Sequence, residues 1–334
     1  TPSDKKSANN PLLVEWTTPY GIPPFDKVEP KHFPPAIESG IKALRSEIET
    51  IVKNTDAPTF ENTIVALDLT GDELSRTSRV FSNLTATDTN DELRAMQSGI
   101  NKQLTQEYDA IYLNEALFAR VKAVYDSLET LNLDQQDRRL VELTYRDFQR
   151  RGAELTEDQK TRMKEINGRL SEIGTKFSQN LVKETNGFEL LITKEENLAG
   201  LSETMINAGK SAAEAKGKDG WLYNLNRSTY ETFMTQSTNR DLRKKMFDGY
   251  RFRAANGGET DSSELILETA RLRAEKAQIL GYPNWATFQL ETRMAKTPEQ
   301  AIEFLMLVWK PGLQRAKEEL ADIWHFLIQA SLEL

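Results

Sequence analysis

No cysteine occurs in the 334 residues, which excludes disulfides, thiolate zinc sites and cysteine nucleophiles together and leaves the redox compartment open. Histidine is nearly as scarce. His32 and His325 are the only two, one in a proline-rich arm before Phe33-Pro34-Pro35 and one in the C-terminal tail. A zincin places two histidines one helical turn apart in HExxH, with the glutamate set to activate water. No such run exists here, so each histidine reads as structural or exposed rather than as a ligand. No stretch approaches the ~18 uninterrupted apolar residues of a membrane span. Positive charge is also in deficit. The net charge is −8 and the pI about 5.2, which argues against a general nucleic-acid binder.

The remaining candidates for chemistry are weak. The serines have no G-x-S-x-G context, and neither histidine completes a triad. Asn256-Gly257-Gly258-Glu259 is glycine-rich but lacks the lysine and the preceding strand of a phosphate loop; it reads as the end of one helix and the lead into the next. Glu318, Glu319 and Asp322 could pair in acid–base work, but on a helix face they read as solvated. The basic cluster Arg240, Arg243, Lys244, Lys245 is interspersed with acidic and apolar residues and reads as a solvated face. No catalytic and no metal residue is assigned from the sequence, and substrate-binding positions stay unknown.

What is present is helix. Eight of the 12 prolines fall in the first 35 residues, so residues 11–35 should run extended, with Leu12, Leu13, Trp16, Tyr20, Ile22 and Phe25 docking the arm onto the protein's own core. Ile37, Ile41, Leu44, Ile48 and Ile51 then recur at helical spacing. Thr59 can cap a helix marked by Ile64, Leu67, Leu74 and Phe81. Asn90 precedes another, to about Leu113, and Asn114 caps one striped by Leu117, Val121, Val124, Leu128 and Leu131. A fifth covers 134–151. Thr156 and Gln159 form a capping box before Met163, Ile166, Leu170, Ile173, Phe177 and Leu181, the stripe of a long helix packed antiparallel in a bundle.

Between 187 and 228 the character changes. Residues 188–193 and 221–226 read as strands of an antiparallel ribbon, with a short helix at 202–216 between them. Helices resume at 239–255, 261–280, 283–294 and 298–323, with a kink or break expected at Pro311. Within 271–300, Gly281 closes one helix and Pro283 fits the first turn of the next. Thr297, Pro298 and Gln300 then start a third with a capping box.

Many of these segments resemble one family. PFDKVEPKHFPPAIESGI (24–41), PTFENTIVALD (58–68), SRVFSNLTATDTNDELRAM (78–96), AIYLNEALFARVKAVYD (110–126), YRDFQRRGAELTEDQKTRMKEINGRLSEI (145–173), FSQNLVKETNGFELLI (177–192), NRDLRKKMFDGYRFRAANGGETDSSELI (239–266) and GYPNWATFQLETRMAKTPE (281–299) are similar to the zinc metallopeptidases of the thimet oligopeptidase and peptidyl-dipeptidase (dipeptidyl carboxypeptidase) family. Oligopeptidase A-like endopeptidases are the near alternative. The resemblance runs from about Asn10 to Ile323 and implies a mainly α fold. It is a multi-helix bundle with a small antiparallel β ribbon, the N-terminal half of a two-lobed ellipsoid like neurolysin.

The family's zinc motif, third ligand and substrate-orienting residues lie in the half this chain does not match, so none is carried over. Zinc is implied for the full-length enzyme and no cofactor for this chain.

The expected organisation is an extended arm (1–35), a helical bundle (36–186), a small α/β ribbon region (187–237), a helical region (238–323) and a tail (324–334) outside the family pattern. WHFLIQASLEL, after Ile323, reads as a frameshift, a misassembled gene or an added tail, with a natural shortened homologue as the other reading. The resemblance implies the non-catalytic half of a zinc peptidyl-dipeptidase, part of one channel wall, inactive alone. The alternatives are a repurposed helical peptide-binding or scaffold module, or a half-enzyme that pairs with a separate catalytic half. Oligopeptides are the expected partners, with self-association or pairing through an exposed apolar patch; no nucleic acid and no membrane span are expected. The start at Thr1, followed by SDKKSANN, reads as an artificial start or a mature end. It leans toward an exported, periplasmic protein over a cytoplasmic one.

Overall fold

A computed structural model describes residues 10–332, with side chains through Trp324; the polar run after Thr1 and the side chain of His325 lie outside the described residues. The chain divides into two units, 1–270 and 271–334.

In the first unit the arm is only partly extended. It turns through one-turn 3-10 segments at Pro19–Gly21 and Pro30–His32. The first helix, α1 (Phe33–Lys53), takes Pro34 and Pro35 into its first turn. Proline fits there because the N–H it lacks has no intrahelical partner at that position. Leu12 is fully buried, and Leu13 and Trp16 pack against the same core. Trp16 Nε1 donates to the Pro11 carbonyl (2.9 Å), and Arg76 lies over its ring (4.9 Å). Tyr20, Ile22 and Phe25 do not dock; all three are exposed.

Ile37, Ile41, Leu44, Ile48 and Ile51 are buried on one face of α1, as their spacing requires. Thr59 caps the next segment, its Oγ1 accepting from Asn62 N–H at 3.1 Å while Asn62 Oδ1 accepts from Thr59 N–H at 2.8 Å. That segment is π-helical (Phe60–Val65) and continues into the short α2 (Ala66–Asp68). The single helix expected from Thr59 to Phe81 therefore does not form. Gly71, at φ +78, breaks it, and α3 (Asp72–Thr87) begins afresh. Glycine carries no Cβ to clash in this left-handed conformation.

Asn90 and Asn114 then cap α4 (Asp91–Tyr112) and α5 (Glu115–Asp126), accepting from Leu93 N–H and Leu117 N–H, each at 2.9 Å. Asp134 caps α6 (Gln135–Arg151). Leu128, expected on the stripe of α5, is buried just beyond its end. One apolar core joins Phe33, Phe81, Phe118 and Phe148, with Phe33 and Phe81 edge to face at 5.1 Å.

The capping box at Thr156 starts α7 (Glu157–Gly187), which runs antiparallel to α4. Polar rungs fix the register. Gln179 Nε2 donates to the Arg94 carbonyl (2.9 Å), Asn101 Nδ2 to Thr175 Oγ1 (3.0 Å), Lys102 Nζ to Glu172 (2.7 Å) and Asn167 Nδ2 to Asp109 (2.7 Å). Met163, Ile166 and Ile173 are buried as expected, but Leu170, Phe177 and Leu181 are half-buried, while Lys160, Thr175 and Asn180 are buried. At the end of the ladder Lys160 Nζ donates to Glu115 (2.8 Å) and Glu157 (2.9 Å). Burial pulls its pKa down, the two carboxylates outweigh it, and the net shift is upward.

β1 (Leu190–Ile192) pairs antiparallel with β2 (Trp221–Tyr223), each strand shorter than its sequence run. Between them comes α8 (Glu203–Ala215). Then α9 (Arg227–Gln236), which the sequence reading leaves out, and α10 (Arg240–Arg251) close a second core around Tyr223, Leu225, Phe233 and Met246. Tyr223 donates to the Met205 carbonyl (3.2 Å), and burial pushes its phenol up to about 12.

Glu189, just before β1, accepts from Lys216 (2.7 Å) and from Lys218, clasping the crossover. Those hydrogen bonds hold its carboxyl at about 2, down from 4.5. A depressed carboxylate contributes stability that is present above its unfolded value and lost as pH falls through the folded one. The clasp should therefore loosen between about 4.5 and about 2. A carbon-13 carboxyl titration checks this, and an unshifted Glu189 midpoint would remove the clasp.

The helix α11 (Ser263–Ile279) begins in the first unit and ends in the second. In the second unit Gly281, at φ +81, ends it in a Schellman motif: Tyr282 N–H donates to the Ala277 carbonyl (2.8 Å) and Gly281 N–H to Gln278 (3.0 Å). Pro283 does not enter the next helix. Asn284 caps it, accepting from Thr287 N–H (2.8 Å), and α12 spans only Trp285–Leu290.

Phe288 packs against Tyr282 and Trp285, with ring centroids 5.1 and 5.2 Å away. Thr297 Oγ1 accepts from Gln300 N–H (3.2 Å), while Thr297 N–H turns to the Ala295 carbonyl (2.6 Å), so half of the expected capping box is made. The last helix, α13 (Pro298–Leu332), runs through Pro311. The break expected there is absent, and the helix continues past Ile323.

Candidate functional site

The histidines come first, because hydrolytic zinc chemistry would need them. His32 is bound to its own turn. Its Nδ1 accepts from Glu29 N–H (3.0 Å), and its carbonyl accepts from Asn10 Nδ2 (2.8 Å). This imidazole caps the turn before α1. Among the described residues no group of three or more His, Asp or Glu side chains is arranged to hold a metal. The donors that zinc requires, imidazole or thiolate with a carboxylate, are not assembled among the described residues, which do not fit the metal.

The other candidates resolve into structural roles. Glu318 and Glu319 both face Arg315, at 3.7 and 2.7 Å, and Gln314 donates to Glu318 (3.1 Å). They form an exposed i,i+3/i,i+4 network on α13. The glycine-rich loop latches α7 to the start of α11. Asn256 Nδ2 donates to Glu184 (2.8 Å), Thr260 donates to the same carboxylate, Lys183 pairs with Glu259 (3.1 Å), and Asn180 Nδ2 donates to Ser262 Oγ (3.0 Å).

Asp261 accepts from Gly257 N–H (2.6 Å) and Ser263 N–H (2.8 Å), and backbone hydrogen bonds hold its carboxyl below the usual range. A carboxylate already fills the place a phosphate would take. In the basic cluster, Arg243 donates to the Ser237 carbonyl (2.5 Å) and Lys244 pairs with Asp248 (2.6 Å), leaving Arg240 and Lys245 exposed.

Two features remain, and neither follows from a sequence motif. A cavity of about 350 Å³ opens between α1, the corner at 67–75, α4 and α6. Leu140, Leu143, Tyr108 and Tyr112 form its walls, with Asp68, Thr70, Thr144 and Asp147 among its polar lining. Burial pushes the Tyr112 phenol up, opposed by the Arg151 guanidinium 4.0 Å over its ring. No histidine or lysine lines it, so it offers apolar contact and carboxylate acceptors but no nucleophile–base pair. Its lining comes from four separate stretches of chain, which no local spacing announces.

The second feature is α13. From Ile302 to Trp309 its large apolar side chains are exposed on every side, and Leu313, Leu320, Ile323 and Trp324 continue the exposure. A helix apolar all round belongs inside a body.

Two family descriptions match this chain: "Neurolysin/Thimet oligopeptidase, N-terminal domain" over residues 37–160 and "Peptidase family M3" over 233–332. The chain is 36% identical over 315 residues to the dipeptidyl carboxypeptidase of Escherichia coli strain K12, covering 94% of this chain and 46% of the relative. It is 35% identical over 321 residues to the Salmonella typhimurium dipeptidyl carboxypeptidase (96% and 47% covered). It is 33% identical over 321 residues to Escherichia coli oligopeptidase A (95% and 47%). The chain belongs to the M3 peptidases, the zinc metallopeptidase family of thimet oligopeptidase and the peptidyl-dipeptidases. It spans about half the length of the curated relatives it matches. The M3 match reaches residue 332 and so takes in most of the segment 324–334 that the sequence reading sets apart.

Proposed function

We propose that this chain is the non-catalytic, helical N-terminal portion of a zinc peptidyl-dipeptidase. In that role it supplies part of one wall of a channel for oligopeptides that lose C-terminal dipeptides, and it hydrolyses nothing by itself. The observation that carries this reading is the donor set. A chain that matches both family descriptions has two histidines, one of them committed to a turn, and no HExxH. Without imidazole pairs there is nothing in these residues to hold zinc or to place a general base beside a metal-bound water.

The bare apolar surface of α13 supports the same reading over a repurposed peptide-binding module. A module adapted to stand alone would carry polar residues on that helix, and this one carries Phe304, Leu305, Leu307 and Val308 exposed. The test is direct. The purified chain, dialysed against zinc, should retain no stoichiometric metal and should not cleave a quenched oligopeptide. Retained zinc with cleavage that a chelator abolishes would overturn the proposal.

A further inference from the structure

Three asparagines are followed directly by glycine: Asn167, Asn186 and Asn256. The pairing matters chemically because glycine has no Cβ to keep its backbone nitrogen away from the preceding side chain. Asn167 and Asn186 lie within α7, where the helix fixes the backbone. Asn256 lies in the loop between α10 and α11. Asn186, Asn256 and Gly257 are all exposed, so exposure alone does not separate the two sites. A Cβ added at Gly257 would meet nothing within 4 Å, and nothing crowds the nitrogen from that side.

The hydrogen bonds around Asn256 are those that a ring closure would use. Gly257 N–H donates to Asp261 Oδ2 at 2.6 Å. Backbone hydrogen bonds hold that carboxyl below the usual range, so it is charged at neutral pH and polarises the N–H. Gly258 N–H donates to Asn256 Oδ1 at 3.0 Å, where it stabilises negative charge that grows on this oxygen when its carbon is attacked. Asn256 Nδ2 donates to Glu184 at 2.8 Å, which holds the nitrogen that must leave. Nucleophile, oxygen and leaving group each have their own partner, and a held geometry of this kind favours attack within the chain. Thr260, donating to the same Glu184 carboxylate, and the buried Asn180–Ser262 bond (3.0 Å) keep the loop in place on α7.

We propose that Asn256 is a self-modification site, at which the Gly257 nitrogen closes on the Asn256 side chain and the product releases the loop from α7. The bond from Gly257 N to Asn256 Cγ forms and the Cγ–Nδ2 bond breaks. Ammonia leaves, carrying the proton that Gly257 gives up. Water then opens the five-membered imide. Opening at Cγ leaves aspartate, and opening at the backbone carbonyl leaves isoaspartate, with the side-chain carbon now in the main chain. Either product puts a carboxylate where a donor faced Glu184, with Asp261 close by, and like charges replace the latch.

The experiment incubates the whole native chain at mildly alkaline pH and follows the three sites by peptide mass spectrometry, reading the exchange of NH2 for OH. Asn256 should convert at least about tenfold faster than Asn167 or Asn186, with isoaspartate among its products. In the chain unfolded by guanidinium the three rates should converge. Gly257→Ala should slow conversion of Asn256 at least about tenfold. Asn256→Asp, made directly, should speed amide hydrogen exchange across residues 257–263 several-fold while helix content stays native.

Equal rates at the three sites in the native chain would overturn the proposal, as would the native order persisting after unfolding. Exchange across 257–263 left unchanged by Asn256→Asp would remove the release. None of these outcomes bears on zinc or on peptide cleavage, so the peptidase reading stands or falls separately.

Discussion

Gly40→Ala should destabilise the first unit by about 1–3 kcal/mol, although alanine in a helix interior normally stabilises by about 1 kcal/mol over glycine. Gly40 lies in α1 where α3 crosses it. A Cβ built there would stand 2.7 Å from the Leu74 Cα, 2.9 Å from its N and 3.0 Å from its Cβ. Two of those three atoms are backbone, so no rotamer change relieves the contact and the two helices must separate. Gly168→Ala is the matched control. It sits within α7 with nothing inside 4 Å of its added Cβ, and it should gain roughly 0.5–1 kcal/mol. Urea unfolding followed by far-UV circular dichroism should move the two midpoints in opposite directions. If Gly40→Ala shifts upward like Gly168→Ala, the close crossing is not present.

The same contrast explains what could be read from the sequence. Helix starts were legible because a cap is local. Thr59, Asn90, Asn114 and Thr156 each accept a hydrogen bond from the backbone N–H three residues on, and residue type with spacing announces that geometry. The α1 stripe was legible for the same reason. Gly71 was not, because a glycine between apolar positions in phase can sit inside a helix or break it, and only the φ of +78 decides.

Pro283 and Pro311 show the two ways a proline rule fails. Pro283 was expected in the first turn of the next helix, but Asn284, one residue on, takes the cap and leaves the proline outside; α13 continued past Pro311 because one lost hydrogen bond does not outweigh the rest of a 35-residue helix. On α7, Leu170 and Phe177 sit in phase with the stripe yet stay half-buried. Polar rungs to α4 occupy part of the seam that periodicity assigns to apolar contact.

The candidate site was less legible than the fold. The absence of an HExxH run was plain, since the motif is either in the sequence or it is not. The cavity was invisible, because Leu44, Asp68, Tyr108 and Asp147 meet only through the packing of distant helices. The α13 stripe lies in between. Its spacing is in the sequence, but spacing alone does not tell a buried stripe from a bare one.

Arg120→Met should cost about 1.5–3 kcal/mol, the range for hydrogen bonds to a charged group, and should act first on one loop. Arg120 is buried in α5, and its guanidinium reaches over to the chain between α1 and the π-helical segment. Nη1 donates to the Asn54 carbonyl at 2.8 Å and to the Asp56 carbonyl at 3.2 Å, and Nη2 donates to Asn62 Oδ1 at 3.1 Å. Asn62 Oδ1 is the oxygen that also takes Thr59 N–H in the capping box, so the arginine holds the residue that starts the next segment.

Methionine keeps the stem and loses all three bonds. Lysine keeps the charge but presents a point donor in place of a planar fork, so Arg120→Lys should recover only part of the loss. Limited proteolysis separates this from general destabilisation. Cleavage within residues 54–62 should accelerate in Arg120→Met at urea concentrations where far-UV ellipticity is still native. Uniform acceleration across the chain would mean that Arg120 supports the core rather than the loop.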